Sequence, residues 1–395
     1  MLLTSPKNYS TNNKINHSEY QFSYTIFNTT CMSLIKDNKT YYPALDGLRG
    51  VAILFVLLYH NFNFTDRFFF GWLGVDLFFV LSGFLITSIL LNTRRDPRFF
   101  RNFYARRALR IFPLYFLILV IFLVIFPAVN FYQDNMEYYN EHQLWFWIYI
   151  QNWLLSFHTP PRTNNVLTHL WSLAVEEQFY VIWPLAIYFL RKIKWQFIFM
   201  LVFLISVITA RAILWSSHIP DLNYTAFYTF TRVDGIAIGS LIALMQEMDP
   251  TFIRKNLGAI VATLAGLNFL FYFLNVPYGI LPYLALCGYT TFAIIFGLLI
   301  NEIVTGNNKF LNVILSNRPL IFLGKISYGL YVFHWPVFAM LSPLISGNLQ
   351  KNQGLPGMVS LTIAGAITTL IALLLSTLSY YTFEKKFLSL KERFR

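Results

Sequence analysis

Acidic residues are scarce in this sequence: 18 Asp and Glu among 395 positions, beside 30 Lys and Arg, with charged residues only 12% of the chain. A soluble chain carries roughly a quarter charged residues. With 56% hydrophobic and 19% aromatic residues, the composition excludes a soluble domain and predicts an all-α polytopic membrane protein. Cysteine is nearly absent. Cys31 and Cys287 build no disulfide framework and have no metal-ligand spacing around them, so no metal is expected. Gly324-Lys325 lacks the preceding Gly and following Ser or Thr of a phosphate loop, with Pro319 and Ile326 in those places, which leaves ATP-driven transport unsupported. Asp66 follows His60 at a spacing of six and not at the His-x4-Asp spacing of soluble acyltransferases. Ser82 lacks the Gly-x-Ser-x-Gly elbow of a serine nucleophile. Residues 1–37 are polar and lack the basic start and apolar run of a cleavable signal.

What is present is a series of apolar stretches long enough for a ~30 Å hydrocarbon core: 48–63, 69–91, 108–129, 170–190, 196–215, 233–248, 257–274, 279–300, 326–346 and 359–381. They predict about ten transmembrane helices with both ends cytoplasmic. A further piece, 144–157, is short and interrupted by Gln151 and Asn152. Charge arbitrates its status. If it stays on one side as a re-entrant or interfacial helix, 25 of the 30 Lys and Arg fall on the cytoplasmic face. The opposite loops are then short or acidic, with Asp134, Glu137, Glu141 and Asp221, and the positive-inside rule is met. The net charge of +12 is thereby a matter of orientation, and no nucleic-acid partner is expected. The domain reading is a flexible polar cytoplasmic extension at 1–40, an integral-membrane domain at 41–387 and a short basic cytoplasmic tail at 388–395.

Ionisable groups inside spans cost about 2.5–3.5 kcal/mol each at the membrane centre and mark function or pairing. Arg49 and His60 are eleven residues apart, which places them on nearly one helical face about 16 Å apart along the axis, Arg49 at the cytoplasmic mouth and His60 deep. Counted from the outer ends of their spans, Asp76 and Glu176 reach the same level as His60, the arrangement of a proton-handling site in which a carboxylate orients an imidazole base. Asp76 and the neighbouring Arg232 and Asp234 read equally well as structural ion pairs. At the inner face Arg107 and Arg110 are i, i+3 neighbours near the depth of Arg49, and three guanidinium groups at one mouth suit phosphate. Arg106 is left undecided; Arg94, Arg95, Arg98 and Arg101 read as topology anchors. Glu176 and Glu177 project about 100° apart, so one of them faces the site. His334, beside Trp335-Pro336, reads equally as a structural contact or a donor-site residue, and His169 at the outer edge as a possible acceptor contact.

Six segments in order resemble the membrane-bound acyltransferase type 3 family, which includes bacterial O-antigen and surface-glycan O-acetylases. They are Leu45-Asp46-Gly47-Leu48-Arg49 followed by His60; the run from Gly74 to Phe84; Arg107-Ala108-Leu109-Arg110; the run from Trp171 through Glu176 to Tyr180; Arg232 to Gly235 with Gly239; and Ser327 to Pro336. Together they extend over roughly 41–387.

The resemblance implies transfer of an acyl group, usually acetyl, from cytoplasmic acetyl-CoA or another acyl-CoA to a hydroxyl of a glycan or lipid-linked saccharide at the outer side of the bacterial inner membrane. It places the family's Arg-x10-His pair on Arg49 and His60 and its Arg-x-x-Arg on Arg107 and Arg110, and it favours Glu176 over Glu177. The expected roles are His60 as general base, Glu176 as the carboxylate orienting it, and Arg49, Arg107 and Arg110 as the donor's phosphate site. Family members often carry a further esterase-like domain; here the expectation is that any such partner is a separate protein or unnecessary. Besides donor and acceptor, membrane lipid is the expected partner. The rival reading is a transporter or flippase for a lipid-linked sugar, opposed by the absence of an internal repeat and of a continuous polar stripe.

Overall fold

The computed structural model describes residues 42–62, 67–131, 137–158, 165–216, 224–275, 287–306 and 308–394. The expected extension at 1–40, Cys31, Asp66, Asp134 and Asp221 lie outside the described residues. Among the described residues all regular structure is helical. The long helices are α1 (Pro43–Phe62), α2 (Leu73–Thr93), α3 (Phe99–Val120), α4 (Trp171–Phe189), α5 (Ile193–Ser216), α6 (Asp234–Met248), α7 (Phe252–Asn275), α8 (Tyr289–Thr305), α9 (Arg318–Gln353) and α10 (Gly357–Ser379). A helix lies at each apolar stretch. Among the described residues six segments are long and apolar enough to cross a membrane, Pro43–Phe62, Phe69–Thr93, Phe99–Ala128, Ile193–Leu214, Arg318–Gln353 and Gly357–Phe394, or seven if the bent pair Tyr289–Thr305 and Lys309–Leu315 is one span. Two of the remaining helices fall short for visible reasons. α4 carries Glu176 and Glu177 in its first two turns, and α6 has 15 residues, about 22 Å at 1.5 Å per residue. Residues 234–244 of α6 are all buried, so this helix is enclosed by its neighbours and not by lipid.

The short piece at 144–157 does not form one helix. It breaks into Gln143–Trp147 and Gln151–Phe157, with Tyr149 between them at φ 57°. Seven helical residues span about 10 Å, far too little to cross. The two amides that interrupt the apolar run lie in its second helix, whose residues Gln151, Asn152 and Leu154 to Ser156 are buried in protein. The Gln151 amide donates to the Leu170 carbonyl at 2.8 Å and that of Asn152 to Thr229 Oγ1 at 2.8 Å, while Gln178 donates to Asn152 Oδ1 at 2.8 Å.

Lipid tails offer no hydrophobic drive between helices, so close packing must come from small residues. α1 and α9 run parallel and touch backbone to backbone. A Cβ on Gly50 would overlap the Leu320 carbonyl and one on Gly324 that of Asp46, while one on Gly47 would overlap the carbonyl of Leu315, the last residue of the short helix Lys309–Leu315 just ahead of α9. α2 and α6 interlock reciprocally: a Cβ on Gly83 would strike the carbonyl of Ile236, and one on Gly239 that of Val80. The far end of α1 is clamped to α10, where Asn61 donates to Thr369 Oγ1 at 2.7 Å and Gly365 lies against the Asn61 carbonyl. The expected tail is ordered onto α3: Lys391 is buried, and the Arg101 guanidinium sits over the Phe394 ring at 5.7 Å.

The interlock makes a direct prediction. Gly83→Val or Gly239→Val forces two backbones apart, at a cost above the 1–3 kcal/mol or so typical of overpacking, and lowers the recovery of monodisperse protein and its melting temperature in detergent. Gly258→Val, where nothing lies within 4 Å of the added carbon, leaves both unchanged.

Candidate functional site

Two cavities lie end to end inside the bundle. The first, of about 90 Å³, is lined by Arg49 of α1, Ser82 of α2, Arg107 and Arg110 of α3 and Glu176 of α4, among others. The second, of about 340 Å³, is lined by His60, His169 and Arg232 and walled by Tyr59, Trp72, Trp171, Tyr289 and Trp335. Val75 and Tyr331 line both, so the two abut at these side chains. The Tyr331 hydroxyl is held in that partition, donating to the His169 carbonyl at 2.7 Å and lying 2.6 Å from Ser172 Oγ. Arg49 therefore lines the cavity on one side of this partition and His60 the cavity on the other.

At the arginine end, Arg49 is bonded to Asp46 at 2.7 Å and keeps 17% of its side chain accessible. Arg107 is stacked against Tyr180, its guanidinium 5.6 Å from the ring centroid. Glu176 shares this cavity. Its two oxygens accept from Ser82 Oγ at 3.0 Å and from the Tyr180 hydroxyl at 2.9 Å. Of the two adjacent glutamates it is Glu176 that faces the cavity, while Glu177 is buried with Oε1 unbonded.

At the other end, among the described residues, the hydrogen-bond partner of His60 is a histidine and not a carboxylate. His60 Nδ1 lies 2.8 Å from Nε2 of His334. His334 is fully buried, and its Nδ1 sits 2.7 Å from the Tyr331 carbonyl and 3.2 Å from that of Leu330. Trp335 packs on the His60 ring at 4.9 Å. Pro336, lacking an N–H, leaves the Val332 carbonyl without its helical donor, and His169 Nε2 takes that place at 3.2 Å. The Ser327 to Pro336 motif thereby accounts for one imidazole directly and a second through its proline. The three rings do not converge as metal ligands among the described residues.

The expected common level of His60, Glu176 and Asp76 does not become a contact. Depth was counted from the onset of apolar sequence, but helices begin elsewhere. α9 starts at Arg318, so His334 lies about 24 Å along it and reaches His60. α3 starts at Phe99, which carries Arg107 and Arg110 two to three turns into the helix. The turn Thr168–Leu170 ahead of α4 is itself buried, which sets Glu176 deeper than a surface start implies and beside the arginines. Asp76 pairs with Arg232 at 2.8 Å, and Asp234 pairs with Arg211 at 2.9 Å, both pairs nearly inaccessible. Arg232 is in addition stacked 3.8 Å from the Tyr289 ring centroid. Arg211 escaped the sequence reading, although it is a charge within the 196–215 stretch and the rule for intramembrane charges applies to it.

The chain is similar in sequence to curated O-acetyltransferases. The chain is 29% identical over 329 residues to the peptidoglycan O-acetyltransferase OatA of Listeria monocytogenes, covering 78% of this chain and 51% of that protein. It is 31% identical over 371 residues to the putative peptidoglycan O-acetyltransferase YrhL of Bacillus subtilis, covering 87% and 54%, and 30% identical over 331 residues to the O-acetyltransferase OatA of Staphylococcus aureus, covering 76% and 51%. The chain therefore spans about half the length of these relatives. No solved structure matches it. The acyltransferase domain family profile, type 3, matches residues 42–377, the stretch that holds both cavities and all six motifs, and the chain belongs to that family of membrane acyltransferases.

Proposed function

We propose that the protein moves an acyl group, acetyl in the first instance, from cytoplasmic acyl-CoA to a hydroxyl of a glycan or lipid-linked saccharide at the outer side of the bacterial inner membrane. The observation that carries this reading is the adjoining pair of cavities, guanidinium groups lining one and an imidazole facing a roomy aromatic chamber in the other. Arg49, Arg107 and Arg110 take the donor's phosphates, since Arg binds phosphate through paired charge-assisted bonds and stays charged when half-buried. Glu176 belongs to this end; before the donor arrives its carboxylate offsets guanidinium charge that would otherwise stand uncompensated in low dielectric. The donor's long thiol arm lies along α1 past Val75 and Tyr331, bringing the thioester to His60.

The His60 chamber, of about 340 Å³, falls in the range of small-ligand pockets. Its tryptophan and tyrosine walls suit the apolar faces of a sugar ring, with polar groups at the edges. His60 removes the proton of the acceptor hydroxyl, the oxygen attacks the thioester carbon, the C–S bond breaks, and the proton held by the imidazole passes to the departing thiolate. The names of the peptidoglycan O-acetyltransferase relatives support a cell-wall or lipid-linked glycan as acceptor. The basic asymmetry of the loops supports both ends of the bundle facing the cytoplasm, and a ten-span count follows from it.

Membranes carrying the protein, supplied with labelled acetyl-CoA and followed by mass spectrometry of the glycan, test the reading. His60→Ala is expected to lower transfer by about 10²–10⁴-fold while the protein still elutes as folded; full acylation by this variant sinks the assignment. Arg107→Ala is expected to raise KM for the donor about 10–100-fold, the equivalent of one lost charge-assisted bond, with a smaller change in kcat. For topology, in a background lacking Cys31 and Cys287, a cysteine at Lys192 is expected to react with an impermeant maleimide only from the cytoplasmic side and one at Lys351 only from outside. Reaction of both positions from the same side would overturn the orientation.

A further inference from the structure

We propose that His334 is a positioning residue that fixes the tautomer of His60, so that His60 Nε2 is the unprotonated nitrogen presented to the chamber. This rests on His60 being the base. The argument begins from carbonyls, which only accept. His334 Nδ1 lies 2.7 Å from the Tyr331 carbonyl and 3.2 Å from that of Leu330, so it carries the hydrogen and donates. A neutral imidazole has one N–H, and Nε2 of His334 is therefore the ring's lone pair. At 2.8 Å from it stands His60 Nδ1, which must supply the hydrogen of that bond. The proton of neutral His60 is thus on Nδ1, and Nε2 is left with its lone pair free.

The alternative, a protonated His334 donating to His60, would bury a cation at 0% exposure with no carboxylate bonded to it among the described residues, a costly state in low dielectric. The scaffold around His334 is correspondingly rigid. His169, whose Nε2 donates to the carbonyl that Pro336 leaves free, packs edge-on against His334 with ring centroids 5.4 Å apart, and Trp335 is tied to the Asn165 carbonyl at 2.6 Å. The chain from the Tyr331 carbonyl through His334 to His60 does the work that a carboxylate does for an imidazole base elsewhere, without placing a negative charge in the membrane interior. When His60 takes the acceptor's proton on Nε2, its Nδ1–H remains bonded to His334 and the ring stays oriented through the step.

Glutamine and alanine at 334 separate positioning from packing. A glutamine can place its carbonyl oxygen where Nε2 stands and accept from His60 Nδ1, whereas alanine removes the acceptor. His334→Ala is expected to lower kcat about 10²–10³-fold with donor KM within twofold of wild type, and His334→Gln to recover at least tenfold of that loss. Equal kcat for the two variants, or an unchanged kcat in His334→Ala, overturns the proposal. If either variant fails to fold, nitrogen-15 NMR of histidine-labelled wild-type protein decides: the His60 signals, assigned by their loss in His60→Ala, are expected to report Nδ1–H with an unprotonated Nε2, and the Nε2–H tautomer overturns it. Should His60→Ala retain full transfer, it is the function reading that fails; the tautomer measurement is independent of that outcome.

Discussion

The close parallel approach of α1 and α9 is the constraint on which the rest depends. Gly50 of α1 and Gly324 of α9 let the two backbones approach without an intervening side chain at these positions, and only at that separation can a histidine on each helix reach the other at 2.8 Å. The glycines lie in the first two turns of α1 and the first two of α9, with the histidines further along both helices. Small residues therefore set the distance at one end, and polar chemistry uses it at the other. Helix association in lipid has to be driven by packing and polar contacts, and here one helix pair supplies both.

Around this pair the buried charges divide by purpose. Asp76–Arg232 and Arg211–Asp234 are closed, nearly inaccessible pairs that tie α2, α5 and α6 and the turn ahead of α6 together. Thr290 of α8 reinforces the second of them, accepting from Arg211 and donating to Asp234 Oδ2 at 2.9 Å. Such pairs give little net stability for their desolvation, yet breaking one strands a charge and costs about 3–5 kcal/mol, so they hold register. The groups facing the first cavity are different. Arg49, Arg107, Arg110 and Glu176 keep accessible surface, and a ligand can exchange for their present contacts. Among the described residues lining the His60 chamber there is no carboxylate, so none of them places a negative charge beside the imidazole.

Much of this was legible from residues alone. The helical class, the position of each long helix, the shared face of Arg49 and His60, the Arg107/Arg110 pair and the preference for Glu176 over Glu177 all follow from periodicity, from the rarity of charge in apolar sequence and from the motif order. What escaped the sequence was depth. Hydropathy marks where apolar residues begin, not where a helix begins, and α3 and α9 each start eight or nine residues before their apolar stretch. That offset moved His334 to His60 and the arginines to Glu176. Pairing escaped for a second reason: Arg232 and Asp234 are two residues apart, a spacing at which side chains do not face each other, and each found its partner on another helix.

Pro336 shows how one residue serves several ends at once. A proline in a helix interior costs about 3 kcal/mol by deleting a bond and crowding a carbonyl. In α9 the freed carbonyl of Val332 is not left bare, since His169 donates to it. That bond fixes the ring of His169, whose edge packs on His334, whose own Nδ1 is anchored one helical turn back. The conventional helical defect is thereby converted into the support of a histidine that, among the described residues, no carboxylate holds. A membrane interior penalises a carboxylate, so an imidazole there is more economically oriented by a carbonyl acting through a second imidazole, and the place to find such a carbonyl is the helix that carries that second imidazole.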